Sequence, residues 1–184
     1  LKNLNNEIIL NSKNIINSYE NSLYDIYIRN NRIYIPDYKN NKLIIYDLRN
    51  KKILYKLFLS NPHSILFNRN KLIICTYRNQ KIAFNNLQEQ IVLKRNKFFS
   101  NPICLAKSPS NYLLINWNDK NYKKLIFFDK NFKFIKYIIV NKEYFFPHYV
   151  IYHHKKFFVV NHTEKDPMIL IFDVNGNLLE EIVN

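Results

Sequence analysis

The stretch Phe157–Val183, FFVVNHTEKDPMILIFDVNGNLLEEIV, decides the fold. An apolar strand runs up to His162, and a polar loop follows. A second apolar strand ends at Asp173, and the turn DVNG leads into a third strand. Asp and Asn side chains cap their own turn backbone, and the chain's single Gly stands where positive φ is expected. The Ile, Val and Phe content favours strands, and no helical period is present.

Working outward, three more segments obey the same grammar. They are RIYIPDYKNNKLIIYDLRNKKILYKLFL from Arg32, KLIICTYRNQKIAFNNLQEQIVL from Lys71 and YLLINWNDKNYKKLIFFDKNFKFIKYIIV from Tyr112. Their first strands end at Asp37, Thr76 and Trp117, and their second at Asp47, Asn86 and Asp129. Three of the four repeats follow a short strand introduced by a proline, in NPHSILF, NPICLA and FPHYVIY. Pro62, Pro102 and Pro147 are 40 and 45 residues apart.

Four short strands per forty-odd residues, with turn signals between them, predict the blades of an all-β β-propeller. A single domain is expected over residues 1–184, with blades at 21–59, 60–93, 101–140 and 146–183 and a partial blade at 1–20. About four and a half blades imply part of a larger, six-bladed ring with an unpaired edge. The strand, loop, I-x-x-F-D, turn, strand pattern resembles the NHL-like and six-bladed propeller superfamily. That resemblance covers almost the whole chain and implies a scaffold rather than an activity.

Composition narrows the function. Apolar residues make up 47% of the chain, with 14 Tyr and 14 Phe, enough for a sizeable core. No apolar run reaches the ~18 residues of a membrane helix. The formal charge of +14 invites a nucleic-acid reading. Lys and Arg are spread through turns, however, and abundant Ile, Lys, Asn and Tyr with one Gly fit an AT-rich genome. Nucleic acid is therefore the least favoured partner. Cys75 and Cys104 sit in apolar runs and read as buried free thiols. The chain opens LKNLNN, without Met or a leader, which suggests a processed or excerpted chain. Propellers of this kind are common in periplasmic and extracellular settings, which the fold favours as a prior while the sequence itself names no compartment.

Four of the five histidines fall between Phe145 and His162. In a blade the first strand lies by the central axis. The 2–3 loops and the connections between blades open on one face, where propellers usually bind ligands. A hairpin turning near Lys155 puts His148 opposite His162 on that face, and His153 and His154 in the solvated turn on the other. His63 shares the register of His148, one residue after its proline. Asp37, Thr76 and Trp117 align with His162. These six side chains are the expected ligand-binding set, around an axial mouth.

Pro147-His148 and Val159-Val160-Asn161-His162 also resemble the PHG…VVNH stretch of the paraoxonase-type lactonases. Tyr149 stands where that pattern has Gly. The resemblance implies a calcium-dependent hydrolase in which His148 and His162 form a general-base dyad. Asp37, Asp119 and Asp166 are its calcium candidates by loop position. The primary expectation is a non-enzymatic module, without cofactor, binding a protein or small ligand on the axial face. The lactonase or esterase, with calcium, is the alternative.

Overall fold

The computed structural model describes residues 25–69, 71–77, 81–86, 89–93, 101–117, 123–140, 145–161, 163, 165 and 167–183. The partial blade expected at 1–20 lies outside them. The described residues form four four-stranded antiparallel sheets, each built of strands consecutive in the chain. The first holds β1 (Tyr27–Arg29), β2 (Arg32–Asp37), β3 (Lys42–Asp47) and β4 (Lys52–Phe58). The second holds β5 (Pro62–Asn68), β6 (Lys71–Thr76), β7 (Lys81–Asn86) and β8 (Glu89–Leu93). The third holds β9 (Asn101–Lys107), β10 (Asn111–Trp117), β11 (Lys123–Asp129) and β12 (Phe134–Ile139). The fourth holds β13 (Pro147–His153), β14 (Lys156–Asn161), β15 (Met168–Asp173) and β16 (Leu178–Val183). Among the described residues no helix is long and apolar enough to cross a membrane.

The sheets stack face to face as blades. Strand side chains alternate between faces, so one middle strand serves two interfaces. Leu72 and Ile74 of β6 pack on Tyr34, Leu43 and Ile45 of the first blade. Their neighbours Ile73 and Cys75 pack on Leu105, Tyr112 and Leu114 of the third. Leu113 and Ile115 of β10 then meet Phe157, Val159 and Leu170 of the fourth. A sheet covered on both faces needs apolar residues at consecutive positions, which is why LII, LIIC and YLLI read as runs rather than alternations. Strand β12, at an outer edge, alternates between exposed and part-buried residues. The first strands of the second, third and fourth sheets lie side by side, β9 touching both β5 and β13, so these blades fan out from an inner axis.

Short polar turns close the blades. The Asp47 carboxylate accepts the Arg49 and Asn50 N–H groups at 2.8 and 2.9 Å. Asp129 Oδ1 accepts from Asn131 and Lys133, both at 2.8 Å, and Asp173 Oδ1 accepts from Asn177 at 2.7 Å. These bonds favour the ionised form and hold the Asp47 and Asp173 carboxyls below their ordinary value. Gly176, at φ 78°, lies against the third blade. A Cβ there would meet the Phe127 ring and the Lys136 side chain at 2.8 Å. The turn between β13 and β14 uses His154 and Lys155 at φ 46° and 63°, leaving His153 and His154 exposed.

Two outer sheet faces lack a neighbouring blade among the described residues: that of the first sheet, where Ile33, Ile35, Ile44 and Tyr46 cluster with one another, and that of the fourth. On the side of the fourth sheet away from the third, Tyr149 and Ile151 of β13 are 40% and 44% exposed. Val150, between them, is buried in the interface.

Candidate functional site

The site begins with a backbone irregularity repeated in three blades. Pro62 pairs with Thr76 and Ser64 with Cys75, so His63 is the extra residue of a β-bulge. Pro102 pairs with Asn116 and Cys104 with Ile115, which leaves Ile103 extra. Pro147 pairs with Asn161 and Tyr149 with Val160, which leaves His148 extra. Proline has no N–H to give a ladder and is tolerated at the start of an edge strand. A bulge there releases the following residue from the alternation and re-aims its side chain.

The partner strand completes the device. Asn116 Oδ1 accepts the N–H of Asn101, just before Pro102, at 3.1 Å. Asn161 Oδ1 accepts the N–H of Phe146, just before Pro147. Both Asn side chains are buried. Thr76, also buried, holds the equivalent place opposite Pro62. Asp37 ends β2 in the same way and is fully buried. Its carboxylate accepts the Asn40 side-chain amide at 2.9 Å and pairs with Lys42 Nζ at 3.3 Å. Asp37 and Thr76 are thus placed within the blades and do not line the cavity described next.

The residues one step further along do line it. Tyr38, Tyr77 and Trp117, each following or ending a second strand, meet the bulged His63, Ile103 and His148 around a cavity of about 190 Å³. Two equivalent positions, each repeated in three blades, therefore converge at one end of the axis. The rings stand mostly at steep angles. Tyr38 and Tyr77 are 5.9 Å apart at 44°, Tyr77 and Trp117 6.3 Å at 90°, and Tyr38 and His63 6.2 Å at 83°. Trp117 stands edge to face with His148, centroids 4.8 Å apart, and its Nε1 donates to the Pro147 carbonyl at 2.9 Å. That bond fixes the indole of the third blade against the fourth.

Burial holds the His63 imidazole down at about 4, because its cationic form would lose hydration. The charge of His148 adds to this, and a hydrogen bond to the Ile103 backbone opposes it. His63 is neutral near pH 7.

Of the six residues expected from the sequence, the structure brings His63, His148 and Trp117 together. His162 lies outside the described residues, as do Asp119 and Asp166. The register places Asn161, not His162, opposite Pro147, and His148 itself lies in the bulge. Trp117 is equivalent to Tyr77 rather than to Thr76. Among the described residues no three His, Cys, Asp or Glu side chains form a group that could hold a metal ion.

Sequence reasoning missed Tyr38, Tyr77 and Ile103. The signal was a fixed count: 62 to 76, 102 to 116 and 147 to 161 are each fourteen residues. Position fifteen is therefore Tyr77, Trp117 or His162. It also missed Asp25, whose carboxylate accepts the Ile65 N–H at 2.9 Å and lies 3.4 Å from the Tyr149 hydroxyl. Burial raises that carboxyl above its ordinary value and pushes the Tyr149 phenol up to about 12.

No family model and no curated protein matches the chain. Solved structures do. Hydrazine synthase of Kuenenia stuttgartiensis is similar over 89% of this chain and 49% of its own, at 14% identity and a TM-score of 0.71. The Pan2 WD40 domain of Neurospora crassa is similar over 87% and 49%, at 11% identity and a TM-score of 0.66. The fold is a β-propeller. The chain spans about half the length of each of these two propeller chains. The computationally designed Ika4 protein is similar over 91% of this chain and 94% of its own, at 8% identity and a TM-score of 0.56.

Proposed function

We propose that this propeller is a non-enzymatic binding module that takes a protein or small-molecule ligand at the axial cavity. The observation that carries the reading is the convergence of two repeated positions from successive blades on one aromatic cavity. Ligand sites are concave, mostly apolar and furnished with a few polar groups. His63, His148 and Trp117 form the site with Tyr38 and Tyr77, while Asp37 and Thr76 act behind it by fixing the strand ends. Fifteen residues after Pro147, His162 shares the sequence count of Tyr77 and Trp117.

Two finer assignments go with this. The blade grammar supports a place among the NHL-like propellers. The half-exposed Tyr149 and Ile151 on the outer side of β13 support a longer ring, six-bladed, in which further chain covers them.

The test compares wild type with His148→Ala and Tyr77→Ala in quantitative partner capture and in a small-molecule melting screen. Wild-type interactions that both variants lose support the reading. Interactions that survive both substitutions place binding elsewhere. The calcium-dependent hydrolase has only His148 of its dyad among the described residues. Lactone and aryl-ester panels, with and without calcium, test it.

A further inference from the structure

The walls of the cavity select a ligand class. Granted that the axial cavity is a binding site, we propose that it recognises a fully alkylated ammonium group. The three large side chains in the lining, Tyr38, Tyr77 and Trp117, are aromatic and come from three successive blades. Set at 44° and 90° to one another, the rings do not stack and line one space together. Ring faces carry negative quadrupole charge, and several around one volume attract a cation that has lost its water.

The choice between cations follows from the lining. A primary ammonium or guanidinium needs acceptors for its N–H groups, above all carboxylates. No carboxylate lines the cavity among the described residues. The nearby Asp37 is committed to Asn40 and Lys42. An ammonium carrying only methyl groups has no N–H to satisfy and suits ring surface with Ile103 at its side. His63 is neutral near pH 7 and adds no charge against a cation, while the charge of His148 opposes one. The volume, about 190 Å³, is that of roughly six waters and fits a compact head group better than an extended peptide. The formal charge of +14 opposes a cation at long range, but its effect is screened over ~8 Å at physiological salt.

Trp117 is the only tryptophan in the chain, so its emission reports on this cavity. The experiment titrates the protein with tetramethylammonium, choline, Nε-trimethyl-lysine amide and the neutral choline isostere 3,3-dimethyl-1-butanol. The expected result is saturable change with at least one ammonium, about tenfold tighter than with the isostere, and no weakening as salt rises. Tighter choline points to a small-molecule head group, and tighter trimethyl-lysine to a modified side chain of a protein. Tyr77→Phe keeps the preference and Tyr77→Leu loses it. Equal binding of the isostere overturns the cation inference and leaves the binding module standing. Silence with all four overturns it as well, while partner capture still decides the module.

Discussion

Trp117 and His148, from different blades, stand with ring centroids 4.8 Å apart, and the indole N–H bonds the carbonyl of the residue before that histidine. The contact therefore locks a blade interface and forms part of the cavity wall at once. Trp117→Phe keeps a ring but removes the donor and leaves the Pro147 carbonyl without that bond. A loss of about 1 kcal/mol is expected in denaturant unfolding, with a larger proportional effect on ligand response than on melting.

His63 gives the protein an acid-sensitive stability. Its folded value is depressed to about 4 from an ordinary 6.5. Above pH 6.5 both folded and unfolded chains carry it neutral, and it contributes nothing. Between 6.5 and 4 only the unfolded chain takes the proton, so stability is lost as pH falls, by roughly 3 kcal/mol in all. The raised Asp25 carboxyl works in the opposite sense, losing stability as pH rises above 3.8. Urea unfolding of wild type and His63→Gln between pH 7 and 4 separates the two. The variant is expected to show the flatter curve, and parallel curves would remove His63 from the account.

Gly176→Ala meets both a positive φ and a ring contact that a Cβ would bring to 2.8 Å. The expected cost is about 2 kcal/mol, seen as a fall of several degrees in Tm. Asn175→Ala, in the same turn, serves as the control and is expected to cost less.

Asn116→Ala and Asn161→Ala each remove the acceptor of the N–H group that precedes a proline, buried at Asn101 and part-buried at Phe146. Each is expected to cost about 1–3 kcal/mol, and the ligand response should suffer because the bulge loses its anchor. Hydrogen exchange at Asn101 and Phe146 checks this directly: faster exchange is expected in the matching variant.

Cys75 and Cys104 are free and buried, and burial pushes the Cys104 thiol up to about 12 and Cys75 higher. Thiolate is the reactive form, so neither should label with a thiol reagent at pH 8 until the protein unfolds. Labelling of the folded chain at a free-thiol rate would contradict the interface packing.

The blade repeat was legible because each middle strand must be apolar on both faces, and runs such as LIIC and YLLI show it. The Asp-led turns were legible because Asp47 and Asp173 cap their own backbone. His63 and His148 were legible through their prolines. The alignment of Asp37 and Thr76 with Trp117 slipped by one residue. Polarity aligns the strand ends one way, whereas the structure aligns them by distance from the proline. The same one-residue slip hides Tyr38 and Tyr77, which directly follow the polar strand ends Asp37 and Thr76. Asp25 carried no signal, since its partners Ile65 and Tyr149 are local to it only in three dimensions.

The bulge after each proline has an evolutionary consequence. A residue left without a facing partner across the ladder is chosen by what it meets in the cavity and the blade interface rather than by cross-strand pairing. Positions 63, 103 and 148 already hold His, Ile and His on one backbone geometry. Specificity can therefore drift blade by blade at these three sites while the prolines and buried Asn side chains keep the scaffold fixed.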